Sequence, residues 1–264
     1  MNRIIDYENL SNQIQTWIQN YVEENNIKTL VVGVSGGIDS AVVSTLCAKT
    51  GIPTIVVGMP LNSTQKNTEL SEKHISELSS KYKQNVIGLH VDLSKTFEEF
   101  KSHPVFRKDY NSELGFANTK SRLRMITLYQ IASSKGGIVV GTGNKVEDFG
   151  VGFYTKYGDG GVDISPIADL YKTEVRNLGR YLGVCEEIVN AEPTDGLWDD
   201  NRVDETQIGA TYEELEWAME YGVDKLSYSE KEYNIVEIYL NFNKKNKHKM
   251  VSIPVFDLKE NEII

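Results

Sequence analysis

A chain of 264 residues with 40% hydrophobic and 25% charged residues has the make-up of a globular protein large enough to bury a core. Its 28 Lys+Arg against 38 Asp+Glu give a formal net charge of -10, which argues against nucleic acid as a partner unless basic residues are gathered locally. The two cysteines, Cys47 and Cys185, form no CxxC pair, the N-terminus carries no apolar signal core, and no apolar run reaches membrane-spanning length; the expectation is a reduced, cytoplasmic protein with no membrane segment.

Leu10, Ile14, Trp17, Ile18, Tyr21 and Val22 share one stripe of an opening amphipathic helix. An apolar strand at 29–34 follows, then a glycine turn and a second helix with Ala41, Val42, Leu46 and Cys47. Residues 54–57 and 85–91 read as further strands around a helix at 67–82. A helix at 119–134 leads through Gly136–Gly137 into a fourth strand at 138–140. Short apolar strands alternating with helices of ten or more residues specify an α/β fold with a parallel sheet. The second half has a glycine-rich acidic stretch at 157–163 and helices at 171–182, 211–221 and 229–241. Residues 193–207 (PTDGLWDDNRVDETQ) show no periodicity, carry the turn pair Asp195-Gly196, and place Trp198 where a loop cannot bury it; we expect a lid. The basic cluster Lys244, Lys245, Lys247, His248 and Lys249 reads, taken alone, as an exposed tail.

The turn after the first strand carries the chemistry. Gly33, Val34, Ser35, Gly36, Gly37, Ile38, Asp39 and Ser40 place glycines where a backbone can approach a ligand, hydroxyls beside them, and a helix N-terminus behind. A carboxylate, Asp39, next to phosphates is repulsive unless a divalent cation mediates, and Mg²⁺ is the natural choice. The loop lacks the lysine of GxxxxGK[ST], since Ile38 follows Gly37, and it does not read GxGxxG. Lys172 starts a helix, where a cation opposes the dipole; that conflict favours a ligand role over a solvated lysine.

SGGIDS resembles the PP-loop of ATP pyrophosphatases, which release pyrophosphate while adenylating a carboxylate or carbonyl. The stretches at 141–175 (GTGNKVEDFGVGFYTKYGDGGVDISPIADLYKTEV), 192–215, 118–125 (NTKSRLRM) and 248–257 (HKMVSIPVFD) are similar to the ammonia-dependent NAD⁺ synthetase family. The resemblance implies a doubly wound, mostly parallel five-stranded sheet with helices on both faces, as in adenine nucleotide alpha hydrolases, followed by C-terminal helices. It also implies one domain over 1–264 without a glutaminase domain, with ammonia as nitrogen donor. Asp39 and Glu147 would bind Mg²⁺; the PP-loop, Thr142, Lys172 and Thr194 would contact ATP. Arg122, Lys156, Asp163, His248 and Lys249 would hold deamido-NAD⁺ across the interface of a homodimer. Asp159 is, on this resemblance, a candidate to deprotonate ammonium, and equally a turn aspartate in GDGG; Arg122 is equally explained by a solvated helix face. Two other readings of the PP-loop stay open: another adenylating amidotransferase or thiolase, and a non-catalytic nucleotide sensor.

Overall fold

The five-residue apolar runs at 29–33 and 54–58, buried on both sides, can satisfy themselves only between two layers of helices, and they form the middle of the sheet. The computed structural model describes residues 3, 5–61, 65–194, 196–198, 202–224 and 226–256. Strands β1 (Thr29–Gly33), β2 (Thr54–Gly58), β3 (Val86–His90) and β4 (Gly137–Val139) form one parallel sheet in the order β3-β2-β1-β4. Helices α1 (Tyr7–Glu24), α2 (Ile38–Lys49) and α3 (Gln65–Lys81) precede or connect the first three strands, and α4 (Ser94–Lys101), α5 (Pro104–Lys108) and α6 (Glu113–Ser134) lead to β4. After it come α7 (Lys172–Leu182), α8 (Glu186–Val189), α9 (Asp204–Ile208), α10 (Tyr212–Trp217) and α11 (Glu230–Met250). Leu30 and Val32 join the apolar cluster of α1, α2 and α7, whereas Val31, one residue out of phase, joins Phe97, Met125 and Leu128 of α4 and α6.

The expected fifth strand is reduced to a single parallel bridge, Val140 to Ile164, so the sheet has four strands among the described residues. Gly141 N–H donates to Ile164 O at 2.8 Å and Asp163 N–H to Val139 O at 3.0 Å, but Pro166 follows without an N–H to continue the ladder. The basic cluster at 244–249 is likewise not a tail: it forms the last turns of α11, which Ser229 starts through a capping box with Glu232 and no interior glycine or proline interrupts. The helix expected at 211–221 is α10 continued by a π-helical turn at Ala218–Gly222, and a second π-helical turn spans Val146–Val151. No helix among the described residues is long and apolar enough to cross a membrane.

Because the strands are parallel, the C-terminal ends of β1, β2, β3 and β4 open on the same edge. The chain moves outward from β1 to β2 and β3 and then returns to β4 on the other side of β1. That reversal creates a crevice beside β1, the place where open α/β sheets bind ligands.

Candidate active site

The crevice is a cavity of about 270 Å³ lined by the whole turn from Gly33 to Ser40, by Gly58, Met59 and His90 at neighbouring strand ends, and by Thr142, Glu147, Asp159, Lys172 and Thr194. The turn is held from behind. Ser71 Oγ on α3 donates to Val34 O at 2.7 Å, Ser35 N–H donates to Ser40 Oγ at 3.1 Å, and Gly37 N–H donates to Ser35 Oγ at 3.2 Å. Gly36 has φ +90°, and a Cβ there would lie 2.5 Å from Asn67 O, so this position requires glycine twice over. Gly37 caps α2 without a side-chain bond, and the N–H groups of Ile38 and Asp39 have no acceptor among the described residues. An uncapped helix end facing a cavity is an anion site.

Opposite the turn, three segments bring charges together. Lys172, the first residue of α7 and 3% exposed, places Nζ 2.5 Å from Asp39 Oδ2 and 3.0 Å from Glu147 Oε1, and 4.8 Å from the Tyr212 ring centre. Asn144 is fully buried; its Nδ2 donates to Asp39 Oδ1 at 3.2 Å, and its Oδ1 accepts the backbone N–H groups of Val146 and Glu147. Tyr212 OH donates to Glu147 Oε1 at 2.6 Å and lies 3.4 Å from Asp204 Oδ2.

The two carboxylates respond differently to a shared lysine. Burial pushes the Asp39 carboxyl up, with Lys172 only partly opposing it and Glu147 adding repulsion. Burial also works on Glu147, but Lys172 and the Tyr212 hydroxyl outweigh it and hold that carboxyl below its usual range. Lys172 loses solvation yet is held above the normal lysine range by its two anionic partners. Asp148, beside Glu147 in the same lining, is pushed up to about 8, first by burial and then by its acidic neighbours.

The acids of the GDGG stretch and of the β4 edge are tied into the fold. Asp159 lines the cavity while its Oδ1 accepts Ser121 Oγ at 2.6 Å and Thr155 N–H at 3.1 Å; burial raises its carboxyl. Asp163 is exposed at the β4 edge, where it accepts Val139 N–H at 2.8 Å and Tyr129 OH at 3.1 Å. Thr142 lines the cavity at the end of β4.

Arg122, Lys156, His248 and Lys249 lie outside the cavity lining but form one chain of contacts. Arg122 Nη2 donates to Lys156 O at 3.2 Å, Lys156 Nζ to His248 O at 3.1 Å, and Lys249 Nζ to Tyr154 O at 2.8 Å. Asp163 makes none of these contacts. The 193–207 segment closes at its base through Asp204 N–H to Pro193 O at 3.0 Å, and Thr194 Oγ1 donates to Arg202 O at 3.2 Å. Arg202 stacks 4.2 Å from the Trp198 ring centre and Lys120 Nζ donates to Leu197 O at 3.0 Å. Within that segment Asp195, Asp199, Asp200 and Asn201 lie outside the described residues, as does Asp257 of the last motif.

Sequence reasoning missed Asn144 and Tyr212. Both fall inside stretches that carried the resemblance, but a buried asparagine after a strand and a tyrosine after a helix cap have no local signature; only the fold brings Tyr212 to Glu147 and Asn144 to Asp39.

A parallel α/β sheet with an uncapped glycine turn at its switch point, facing paired carboxylates, defines a nucleotide-binding enzyme of the PP-loop type. The NAD synthase family model matches residues 10–253, and the chain belongs to that family. It is 39% identical over 202 residues to the NH(3)-dependent NAD(+) synthetase of Mesoplasma florum, covering 76% of this chain and 79% of that one. Among solved structures it superposes on the NMN synthetase of Francisella tularensis with a TM-score of 0.85 at 29% identity, over 96% of this chain and 100% of the other. The NH3-dependent NAD synthetase of Campylobacter jejuni follows at 0.75 and 25%, again over 96% and 100%.

Proposed function

We propose that this protein amidates deamido-NAD⁺ with ammonia at the expense of ATP, giving NAD⁺, AMP and pyrophosphate. The observation that carries the reading is the cavity itself, in which the unpartnered α2 amides of the PP-loop face Asp39, Glu147 and Lys172.

A nicotinate carboxylate resists attack by an amine, so it first needs a leaving group. Its oxygen attacks the α-phosphorus of ATP, the P–O bond to pyrophosphate breaks, and a nicotinyl adenylate forms. Ammonia then attacks the acyl carbon, the C–O bond to AMP breaks, and the amide remains. In the first step the PP-loop amides receive the negative charge that builds on the departing pyrophosphate, and Lys172 adds a full positive charge beside it. Asp39 and Glu147 converge on one point, where both now pair with Lys172 Nζ, and two carboxylates supplemented by phosphate oxygens are a donor set that suits Mg²⁺. Bound there, the metal supplies Lewis-acid neutralisation of the polyphosphate. Asp159, lining the same cavity with a raised carboxyl, accepts the proton of an incoming ammonium. Thr142 and Thr194 complete the ATP contacts, while the chain of Arg122, Lys156, His248 and Lys249, with Asp163, receives the dinucleotide.

Closure of the 193–207 lid would keep water from the adenylate, for which it competes with ammonia. Limited proteolysis checks this: both substrates together should protect the loop, and equal cleavage with and without them removes the lid. A second copy of the chain would cover apolar side chains left exposed on β3, α5 and α6, among them Ile87, Val105, Leu114 and Ile126, which supports a homodimer. The net charge of -10 and the wide spacing of Cys47 and Cys185, which form no CxxC pair, disfavour the tRNA-thiolating alternative. We place the protein in the cytoplasm.

The likeness to an NMN synthetase supports a second reading, in which the same amidation acts on the mononucleotide acid. One assay decides both. The protein, ATP, Mg²⁺ and ammonium are incubated with deamido-NAD⁺ or with nicotinate mononucleotide, and AMP and amide are measured. Equimolar AMP and NAD⁺ support the dinucleotide reading, and a higher kcat/KM on the mononucleotide replaces it with the second. ADP and orthophosphate as products, or no turnover, would defeat both.

A further inference from the structure

Lys172 sits at the first position of α7, where the helix dipole disfavours a cation, and its helical neighbours Tyr171 and Glu174 are held by residues outside the cavity lining. The foremost of these lies near the N-terminus. Arg3, ahead of α1, grips Glu174 with both ends of its guanidinium: Nε to Oε1 at 2.7 Å and Nη2 to Oε2 at 2.5 Å. Its Nη2 also donates to Asp169 O at 2.7 Å. Glu174 is 4% exposed, and the same Oε2 accepts the backbone N–H of Tyr171 at 2.8 Å, the bond that starts α7. The Arg3 guanidinium lies 4.9 Å from the centre of the Tyr171 ring, and Lys145 Nζ lies at the same 4.9 Å while pairing with Asp169 at 2.9 Å. Lys145 is the neighbour of Asn144, the residue that orients Asp39 and Glu147. Both halves of the charged triad are therefore fastened from behind through one ring and one buried carboxylate.

We infer that Arg3 is a positioning residue for the reaction: by neutralising Glu174 and clamping Tyr171 it fixes the first turn of α7, and with it the place of Lys172. The inference rests on the proposed amidation for its catalytic meaning. Without Arg3, Glu174 is a buried carboxylate with no other ion-pair partner among the described residues, and it relaxes toward water, taking the Tyr171 N–H with it. A lysine at position 3 restores the charge but not the two-pronged bond or the stacking on the ring.

The test compares the full-length protein with its Arg3→Ala and Arg3→Lys variants. Arg3→Ala should lower kcat for AMP formation by about 10- to 100-fold, the cost of displacing a reacting group by about 1 Å, with KM for deamido-NAD⁺ nearly unchanged. Arg3→Lys should recover little of this. Low-millimolar guanidinium should raise the kcat of Arg3→Ala but not of the wild type, because the side chain of Arg3 is 34% exposed and its vacated place is open to solvent. Hydrogen exchange at the amides of Tyr171, Thr173 and Val175 should quicken in Arg3→Ala. The inference is overturned if Arg3→Ala keeps kcat within twofold of wild type, or if it loses activity in step with its melting temperature and guanidinium rescues nothing. Should the wild type itself form no AMP, the proposed amidation fails, and hydrogen exchange alone decides the tether: unchanged rates at those three amides overturn it.

Discussion

Replacing Lys172 with Met keeps the stem and removes only the charge, which makes it the sharpest probe of the buried triad. At about 3 Å and an effective dielectric near 20, each of the two ion contacts is worth about 5 kcal/mol before desolvation is charged against it. Breaking a buried pair by deleting one partner costs a net of about 3–5 kcal/mol. The variant has one escape, protonation of a carboxylate. From the ordinary aspartate value of 3.8, neutralising Asp39 at about pH 7.5 costs about 5 kcal/mol, which caps the loss. At about pH 5 the same step costs only about 1.6 kcal/mol. The sign follows from the direction of the shift: without Lys172, burial and mutual repulsion raise both carboxyls in the folded state. Their neutral forms then suit the fold below the unfolded value, and stability is lost as pH rises through the raised one. Urea unfolding should therefore show Lys172→Met weaker by about 3–5 kcal/mol at pH 7.5 and by less than about 2 kcal/mol at pH 5, with the m-value unchanged. Millimolar Mg²⁺ should restore stability to the variant more than to the wild type. Equal midpoints at pH 7.5, or a deficit that does not shrink at pH 5, would refute the argument.

His74 reports on the opposite face of the PP-loop. It is 3% exposed, its Nε2 lies 3.0 Å from Ser44 Oγ, and burial pushes it down from 6.5 to about 4. A depressed histidine costs stability as pH falls from 6.5 toward 4, about 3 kcal/mol in full, so His74→Gln should flatten the pH dependence of the urea midpoint in that window. An unchanged slope would show that other groups carry it. Gly36→Ala forces a φ of +90° on an L-residue and drives its Cβ against Asn67 O; calorimetry should show ATP affinity lower by about 5- to 30-fold, the equivalent of strain of about 1–2 kcal/mol. Asp159→Asn should slow amide formation while ATP/pyrophosphate exchange, driven by the dinucleotide acid, survives. Loss of both would assign Asp159 to the hydrogen bonds of its turn with Ser121 and Thr155.

What the sequence reveals of this site divides by the range of the interaction. The PP-loop is legible because its demands are local: a glycine with positive φ, a helix N-terminus and hydroxyls all lie within eight residues. Lys172 was also legible, through the conflict between a cation and a helix N-terminus, although its partners were not visible. Tyr212 and Asn144 were hidden because the bond from Tyr212 to Glu147 spans 65 residues and neither residue violates a local preference. The fifth strand failed for a local reason that could have been read, the proline at 166 after a run too short to pair twice. The end of α11 is masked in the sequence because a run of basic residues shows first as charge, although lysine also suits a helix well.

The charge economy of the fold resolves the apparent contradiction of a chain at -10 that takes two polyanions. Its cations occupy two physically different settings. Lys247, His248 and Lys249 end α11, where the dipole favours positive charge, so they are stable there before any ligand arrives. Lys172 is the reverse, a cation at a helix start that persists only because Asp39 and Glu147 surround it. In the cavity, Arg124 and Lys172 face more acidic side chains than they can balance, among them Asp39, Glu147, Asp159 and Asp204, whereas Asp148, pushed up to about 8, is mostly neutral near pH 7. A bare triphosphate entering there meets net repulsion beyond the reach of the α2 amides, whereas one accompanied by a divalent cation meets ligands for it. Under the proposed function, the acidity of the cavity would work as selection, admitting the polyphosphate in its metal-bound form and leaving the basic end of α11 to hold the second anion.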